Sequence, residues 1–238
     1  MPAQYSEPAM VACRPVDSPL RALGSRLLRG LGSRCRLCAR WQAEVLCADC
    51  RAAFVPACPP QGEARGLPVH AALDYAPPWS GLIADFKYGQ ACELAGPLAA
   101  LLAQALQPGL VSGAIARPDW IVPVPLSAAR LRERGYNQAW ELARRLAPPL
   151  GLRARADLVE RLIDTPHQVG LDRQARERNL RGAFAVTPAG GPVLAGRSVA
   201  LVDDVCTTGA TVAALAEALR RAGAGDLQVW VVARTDRR

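Results

Sequence analysis

Gly196-Arg-Ser-Val-Ala-Leu-Val-Asp-Asp-Val-Cys-Thr-Thr-Gly-Ala-Thr211 is the stretch on which the fold turns. Val199 to Val202 is an unbroken apolar run of strand length, the pattern of a strand buried on both faces of a sheet. Alanine and leucine predominate from Val212 to Leu219, both good helix formers, and Gly223 suits the helix stop. Strand, loop and helix in that order place Asp203 and Asp204 at the carboxyl end of the strand. Thr207, Thr208, Gly209, Ala210 and Thr211 follow, all small, so their backbone N–H groups can approach an anion closely. The helix behind them adds about half a positive charge at its N-terminus. A phosphate fits that loop. The two aspartates would repel it on contact and are better placed to accept hydrogen bonds from neutral hydroxyls beside it. Phosphate plus vicinal hydroxyls describes a ribose 5-phosphate, and the carboxyl edge of a parallel sheet is where such ligands sit. The plainer alternative is a strand–helix turn that uses its hydroxyls as caps.

Around this stretch the chain has 238 residues, enough for one α/β domain and a small accessory module. No run approaches the length needed to span a bilayer. Residues 1–20 contain Glu7 and Asp17 and lack the apolar core of a signal peptide, so the expected compartment is the cytoplasm. Net charge is +8, and Lys87 is the only lysine, so the basic charge is almost all arginine. A GC-rich genome explains that bias. So does phosphate recognition, for which arginine's planar fork is suited.

Cys35-x-x-Cys38 and Cys47-x-x-Cys50 lie close together. Doubled pairs of this kind in a cytoplasmic protein read as a four-thiolate zinc site, each pair forming a knuckle that offers two sulfurs. Trp41 and Leu46 are placed to cover one side, and metal binding would supply the folding energy of so small a module. Cys58 is a weaker extra candidate.

Residues 1–30 read as a tail and a basic amphipathic helix, 31–60 as the zinc ribbon, and 69–238 as the main domain. Pro and Gly between 56 and 68 suggest a linker. Val69–Tyr75 reads as a strand and Trp79–Lys87 as a helix with Leu82, Ile83 and Phe86 inward. A helix from Glu93 to Gln107 is stopped by Pro108. Trp120–Leu126 is a strand closing on a proline-constrained loop. Arg130, Arg132 and Arg134 follow it and, with Lys87, are candidates to hold a pyrophosphate; solvated side chains are the alternative. A helix then runs from Tyr136 to Leu150 with Trp140, Ala143 and Leu146 inward. Residues 157–181 are dense in charge and suit either a lid over a phosphorylated ligand or an exposed helix. Phe184–Val186 and Leu227–Ala233 are the remaining strands, the latter covered by Leu215 and Leu219.

Asp203–Thr211 resembles the phosphoribosyl-pyrophosphate (PRPP) signature of type I phosphoribosyltransferases. With the four cysteines, Phe86-Lys-Tyr-Gly89, Pro123-Val-Pro125, Arg130-Leu-Arg-Glu-Arg-Gly-Tyr-Asn-Gln138, Thr165 with Gln168-x-Gly-Leu171, Arg178-Asn-Leu180 and Gly182-Ala-Phe184, residues 31–236 resemble the ComF family, which includes the GntX-like proteins. Asp164 stands where the family often has a basic residue. The resemblance implies an α/β fold: a mostly parallel, phosphoribosyltransferase-like sheet flanked by helices, with a small N-terminal zinc ribbon. It implies Zn²⁺ on the cysteines and PRPP or another phosphoribosyl ligand with Mg²⁺. The 5-phosphate would lie on residues 207–211 and the ribose hydroxyls and Mg²⁺ on Asp203 and Asp204, the only candidates offered for catalysis. It also implies DNA uptake or nucleotide metabolism as the setting. Single-stranded DNA and a helicase or recombination protein are the expected partners, the DNA held weakly and in a salt-dependent way. Whether the chain turns over PRPP on an acceptor base or only binds it as an accessory protein is left open.

Overall fold

The computed structural model describes residues 33–163 and 182–235. The expected tail and amphipathic helix (1–30), most of the expected lid (164–181) and residues 236–238 lie outside the described residues.

Four strands run parallel at the centre: β4 (Leu67–Asp74), β9 (Leu227–Arg234), β8 (Val199–Cys206) and β5 (Trp120–Pro123). An antiparallel edge strand, β3 (Gln61–Ala64), completes the order β3-β4-β9-β8-β5. The apolar run predicted at Val199–Val202 lies between two neighbours and is fully buried, as a central parallel strand must be. On one face α2 (Trp79–Tyr88), α3 (Ala95–Ser112) and α5 (Gln138–Leu146) pack through Phe86, Leu98, Leu102, Leu142 and Leu146. On the other, α6 (Gly190–Leu194) and α7 (Ala210–Arg221) pack through Leu194, Leu215 and Leu219 against Val229 and Val231. The result is a mostly parallel sheet between helical layers. Ahead of it lie a two-stranded ribbon, β1 (Ser33–Arg34) with β2 (Trp41–Gln42), and α1 (Ala48–Phe54).

Several sequence expectations change. The linker at 56–68 is half replaced by the β3–β4 hairpin, whose turn residues Arg65 and Gly66 have φ of 56° and 76°. Gln61-Gly-Glu-Ala64 has no strand character of its own; pairing with β4 supplies it. Pro108 does not stop α3, which continues to Ser112 and ends at left-handed Gly113. Proline removes one donor, while Leu106 before it and Leu110 and Ile115 after it stay anchored in the core. The helix expected from Tyr136 begins at Gln138, capped by Asn137, and Arg130–Arg134 belong to a separate short helix, α4 (Ala128–Arg134). Trp140 is only half-buried, and the inward face is Ala139, Leu142, Ala143 and Leu146. Phe184–Val186 (β7) is a strand, but it pairs with β6 (Val159–Arg161) outside the main sheet.

The expectation that no run has membrane-spanning length also changes. Cys92–Ser112, 21 residues containing an 18-residue window of mean hydropathy 1.4, is long and apolar enough to span a bilayer by length and composition. Its Leu94, Leu98, Leu101, Leu102 and Leu106 are packed in the core against the sheet.

Candidate functional site

β8 extends further than its apolar run suggested, because β9 beside it runs on to Arg234 and offers partners to Asp203, Val205 and Cys206. On its other side β5 stops at Pro123, opposite Val202. The four residues 203–206 therefore project past one neighbour, and the carboxylates fold back onto the chain there. Asp203 Oδ1 accepts from the N–H of Asp204 (2.9 Å), and Asp204 Oδ1 from the N–H of Val205 (2.7 Å). Asp204 is buried, and its Oδ1 lies 3.0 Å from the Lys87 ammonium at the last turn of α2. Burial pushes Lys87 down, but the Asp204 and Asp203 charges outweigh it and its pKa is raised. Burial, then the adjacent Asp204 charge, pushes Asp203 up to about 7, against the pull of Lys87. The acidic pair thus carries less than two full negative charges near neutrality, and an internal cation offsets part of that.

Beyond β8 the small-residue loop leads to Gly209, the N-cap of α7, with φ of 72°. A Cβ there would stand 2.7 Å from the Ala64 side chain, so glycine is needed for the approach of the β3–β4 hairpin rather than for room around a ligand alone. Ala210 donates its N–H to Thr208 Oγ1 at 3.4 Å. Arg65, at the hairpin tip, reaches over the loop and donates from Nε to the Thr208 carbonyl (3.4 Å). No sequence signal marked it: the residue lies in a stretch that read as linker. Arg234, at the end of β9, clamps the hairpin by donating to the Gln61 carbonyl. The hollow under the hairpin, lined by Glu63, Ala64, Cys206, Thr207 and Arg234, measures about 10 Å³, room for one water. A sugar phosphate would have to lie outside it, over the loop and the acidic pair.

Among the four pyrophosphate candidates, Arg134 is linked to the backbone of Lys87 through Gln138. Arg134 donates to Gln138 Oε1 (3.2 Å), and Gln138 Nε2 donates to the Lys87 carbonyl (3.3 Å). The Arg134 guanidinium lies 5.0 Å from the Tyr88 ring centroid. Tyr136 donates its hydroxyl to the Phe86 carbonyl (2.5 Å), and Asn137 donates to the Val124 carbonyl (3.1 Å). The segment 134–138 therefore ties the end of α2 to the loop after β5. Arg132 is exposed on α4; Arg130 is half-buried, its N–H held by Ser127 Oγ.

Cys35, Cys38, Cys47 and Cys50 bring four sulfurs within 4.8 Å of one another. Cys38 Sγ and Cys47 Sγ are 3.7 Å apart, close to the edge of about 3.8 Å of a tetrahedral ZnS₄ centre. The N–H of Cys47 donates to Cys35 Sγ (3.4 Å) and that of Cys50 to Cys47 Sγ (3.3 Å), bonds that favour thiolates. Burial pushes Cys35 up, and backbone N–H groups outweigh it, leaving the thiol at about 6. Burial and the neighbouring sulfurs raise Cys50 to about 12. The cluster could hold a zinc ion. Cys58 is exposed and outside it. Trp41 does not cover the cluster: it is 68% exposed, with the Arg34 guanidinium 5.1 Å from its ring centroid. Leu46 instead joins the main core with Trp79, Leu82 and Phe86, so the module is docked rather than separate.

No family model matches the chain. The DNA utilization protein YhgH of Salmonella typhimurium strain LT2 is 36% identical over 208 residues, 84% of this chain and 90% of that protein. YhgH of Escherichia coli K12 is 40% identical over 162 residues, 68% of this chain and 70% of that protein. Competence protein F of Haemophilus influenzae is 38% identical over 162 residues, 67% of this chain and 69% of that protein. Among solved structures, a glutamine PRPP amidotransferase from B. subtilis complexed with ADP and GMP gives a TM-score of 0.40 at 18% identity, covering 62% of this chain and 30% of that one. A purine phosphoribosyltransferase from Pyrococcus horikoshii gives 0.35 at 17% identity, covering 58% and 70%. By its likeness to the YhgH and competence F proteins over two thirds or more of its length, the chain belongs to their family, the ComF family that its motifs resemble.

Proposed function

We propose that the chain binds PRPP, or a closely related phosphoribosyl ligand, at the carboxyl edge of its sheet, and that it serves DNA use in the cytoplasm. The observation that carries this reading is the end of β8. Two carboxylates project past β5, a small-residue loop follows at the N-terminus of α7, and a lysine ammonium reaches into the pair. Residues 207–211 would hold the 5-phosphate and Asp203 and Asp204 the ribose hydroxyls. Lys87 and Arg134, with Arg130 and Arg132 further along α4, would meet the pyrophosphate. The donor set already accepts a cation, the Lys87 ammonium on Asp204, so positive charge suits it. Asp203 and Asp204 are the residues that would hold Mg²⁺, which would supply positive charge to balance the diphosphate. Zn²⁺ on the four cysteines would have a structural role, since all four ligand positions are filled by protein.

The DNA part of the reading is supported by the names of the relatives. The net charge of +8, almost all arginine, favours weak binding of single-stranded DNA through phosphate contacts. A helicase or recombination protein is the partner class that such a role would require. Calorimetric titration with PRPP and Mg²⁺, followed by assay of pyrophosphate release across candidate bases, tests the ligand and separates turnover from binding. Binding of PRPP with no release would identify a binding protein. Anisotropy of a labelled single strand at two salt concentrations tests the DNA part: affinity should fall steeply with salt.

A further inference from the structure

Lys87 is the only lysine in the chain, and its ammonium is spent on Asp204. The pair is largely shielded: the lysine side chain is 21% exposed and the aspartate side chain 7%. Two bonds fix the backbone beneath it, from the Tyr136 hydroxyl to the Phe86 carbonyl and from Gln138 Nε2 to the Lys87 carbonyl. Both bonds are to backbone carbonyls and engage no side-chain atom of Lys87, whose stem carries several rotatable bonds through which an ammonium can change partner. In the free protein a ribose hydroxyl that approaches Asp204 Oδ1 must compete with an ammonium and with the Val205 N–H. The ammonium contact at 3.0 Å joins two opposite charges in a largely buried site, whereas a hydroxyl would bring only one charged partner to the bond.

A ligand can win that competition by offering the ammonium something better. The phosphate of a plain ribose 5-phosphate, lying on residues 207–211, would sit on the loop and not at the end of α2. A diphosphate on C1 would sit on the far side of the ribose, toward Lys87 and Arg134. We propose that Lys87 is an exchangeable counter-ion: it holds Asp204 in the free protein and releases it only to a ribose 5-phosphate carrying an anionic group at C1. The inference rests on the ligand reading given above. It makes Lys87 a specificity residue that favours the activated sugar over the spent one, at the same time as it anchors the diphosphate.

The consequence is a change of opposite sign on two ligands. Ribose 5-phosphate and PRPP, each with Mg²⁺, are titrated calorimetrically into zinc-loaded wild type and Lys87→Met. Loss of the ammonium should tighten ribose 5-phosphate and weaken PRPP, each by roughly tenfold. Equal weakening of both, as a merely structural lysine would give, overturns the proposal, and so does no change in either. Failure of wild type to bind PRPP at all overturns the ligand reading beneath it. The unsubstituted protein gives an independent test. Because the chain has one lysine, labelled lysine yields a single side-chain NMR signal. That signal should shift when PRPP and Mg²⁺ are added to saturation and stay in place with saturating ribose 5-phosphate. A similar shift with both ligands, or none with PRPP, contradicts the exchange.

Discussion

The four-cysteine module and the acidic edge both gather titratable groups into a small volume, and they are built in opposite ways. The module draws all its sulfurs from residues 35–50, with the two knuckles joined by a two-stranded ribbon and the first turn of α1. The edge draws Lys87 from α2, Asp203 and Asp204 from β8, Arg134 from α4 and Arg65 from a hairpin on the far side of the sheet. One site is local in sequence and could hold a metal ion among its sulfurs. The other is assembled by the sheet and already carries its own cation. Local chemistry of the first kind is visible as spacing; the second becomes visible only when the strands are laid side by side.

The largest expected effect lies in the first region. Cys47 is both a sulfur of the cluster and the N-cap of α1, accepting the N–H of Cys50. Structural zinc contributes about 10–16 kcal/mol of apparent binding energy in small modules. Cys47→Ser should lower zinc from near one per chain to near zero, measured by elemental analysis, and expose residues 33–58 to limited proteolysis. Zinc retained at full occupancy would mean that the four thiols do not act together.

A substitution at the join between module and domain sharpens the contrast. Leu46 is 2% exposed and packs with the helices of the main core. Leu46→Ala should cost about 2–5 kcal/mol in denaturant unfolding and leave zinc content unchanged. Loss of zinc along with stability would show that docking and metal binding are one event.

At the acidic edge, Gly209→Val meets two obstacles: a backbone φ of 72° and a Cβ 2.7 Å from the Ala64 side chain. It should destabilise by about 1–3 kcal/mol and lift the hairpin, abolishing binding of both ribose 5-phosphate and PRPP. Asp204→Asn keeps the shape and removes a charge. It should weaken PRPP in Mg²⁺ by about 1.5–3 kcal/mol, roughly ten- to a hundredfold, with little change in affinity for inorganic phosphate.

These variants also mark how far the sequence could be read. Asp203–Thr211 was legible because strand, carboxylates, small loop and helix are consecutive, and the four cysteines because their spacing is local. The arginine-bearing hairpin tip was not, since Gln61-Gly-Glu-Ala64 becomes a strand only by pairing with β4. Lys87 stood out as a phosphate candidate, yet its bond to Asp204 depends on where α2 ends relative to β8, which no periodicity encodes. Trp41 looked like a cover for the metal because it is large and close in sequence; its place on the two-residue strand β2 leaves it in solvent. Pro108 looked like a stop because its local cost was visible and the anchoring of Leu110 and Ile115 was not.

A separate expected effect is on pH. Burial and the Asp204 charge raise Asp203 from 3.8 to about 7. The folded chain thus keeps a proton that the unfolded chain releases, so this residue's contribution to stability falls as pH rises from about 4 to 7 and is level above that. Denaturant titrations at pH 5 and pH 8 should show a decline in wild type that is reduced in Asp203→Asn. An equal decline in both would assign it to other groups.

If the open end of β8 is a phosphoribosyl site, calorimetry of zinc-loaded wild type with PRPP should give one PRPP per chain, bound more tightly in the presence of Mg²⁺ than in its absence. No binding at millimolar PRPP, by a protein shown to be folded and loaded with zinc, would contradict it.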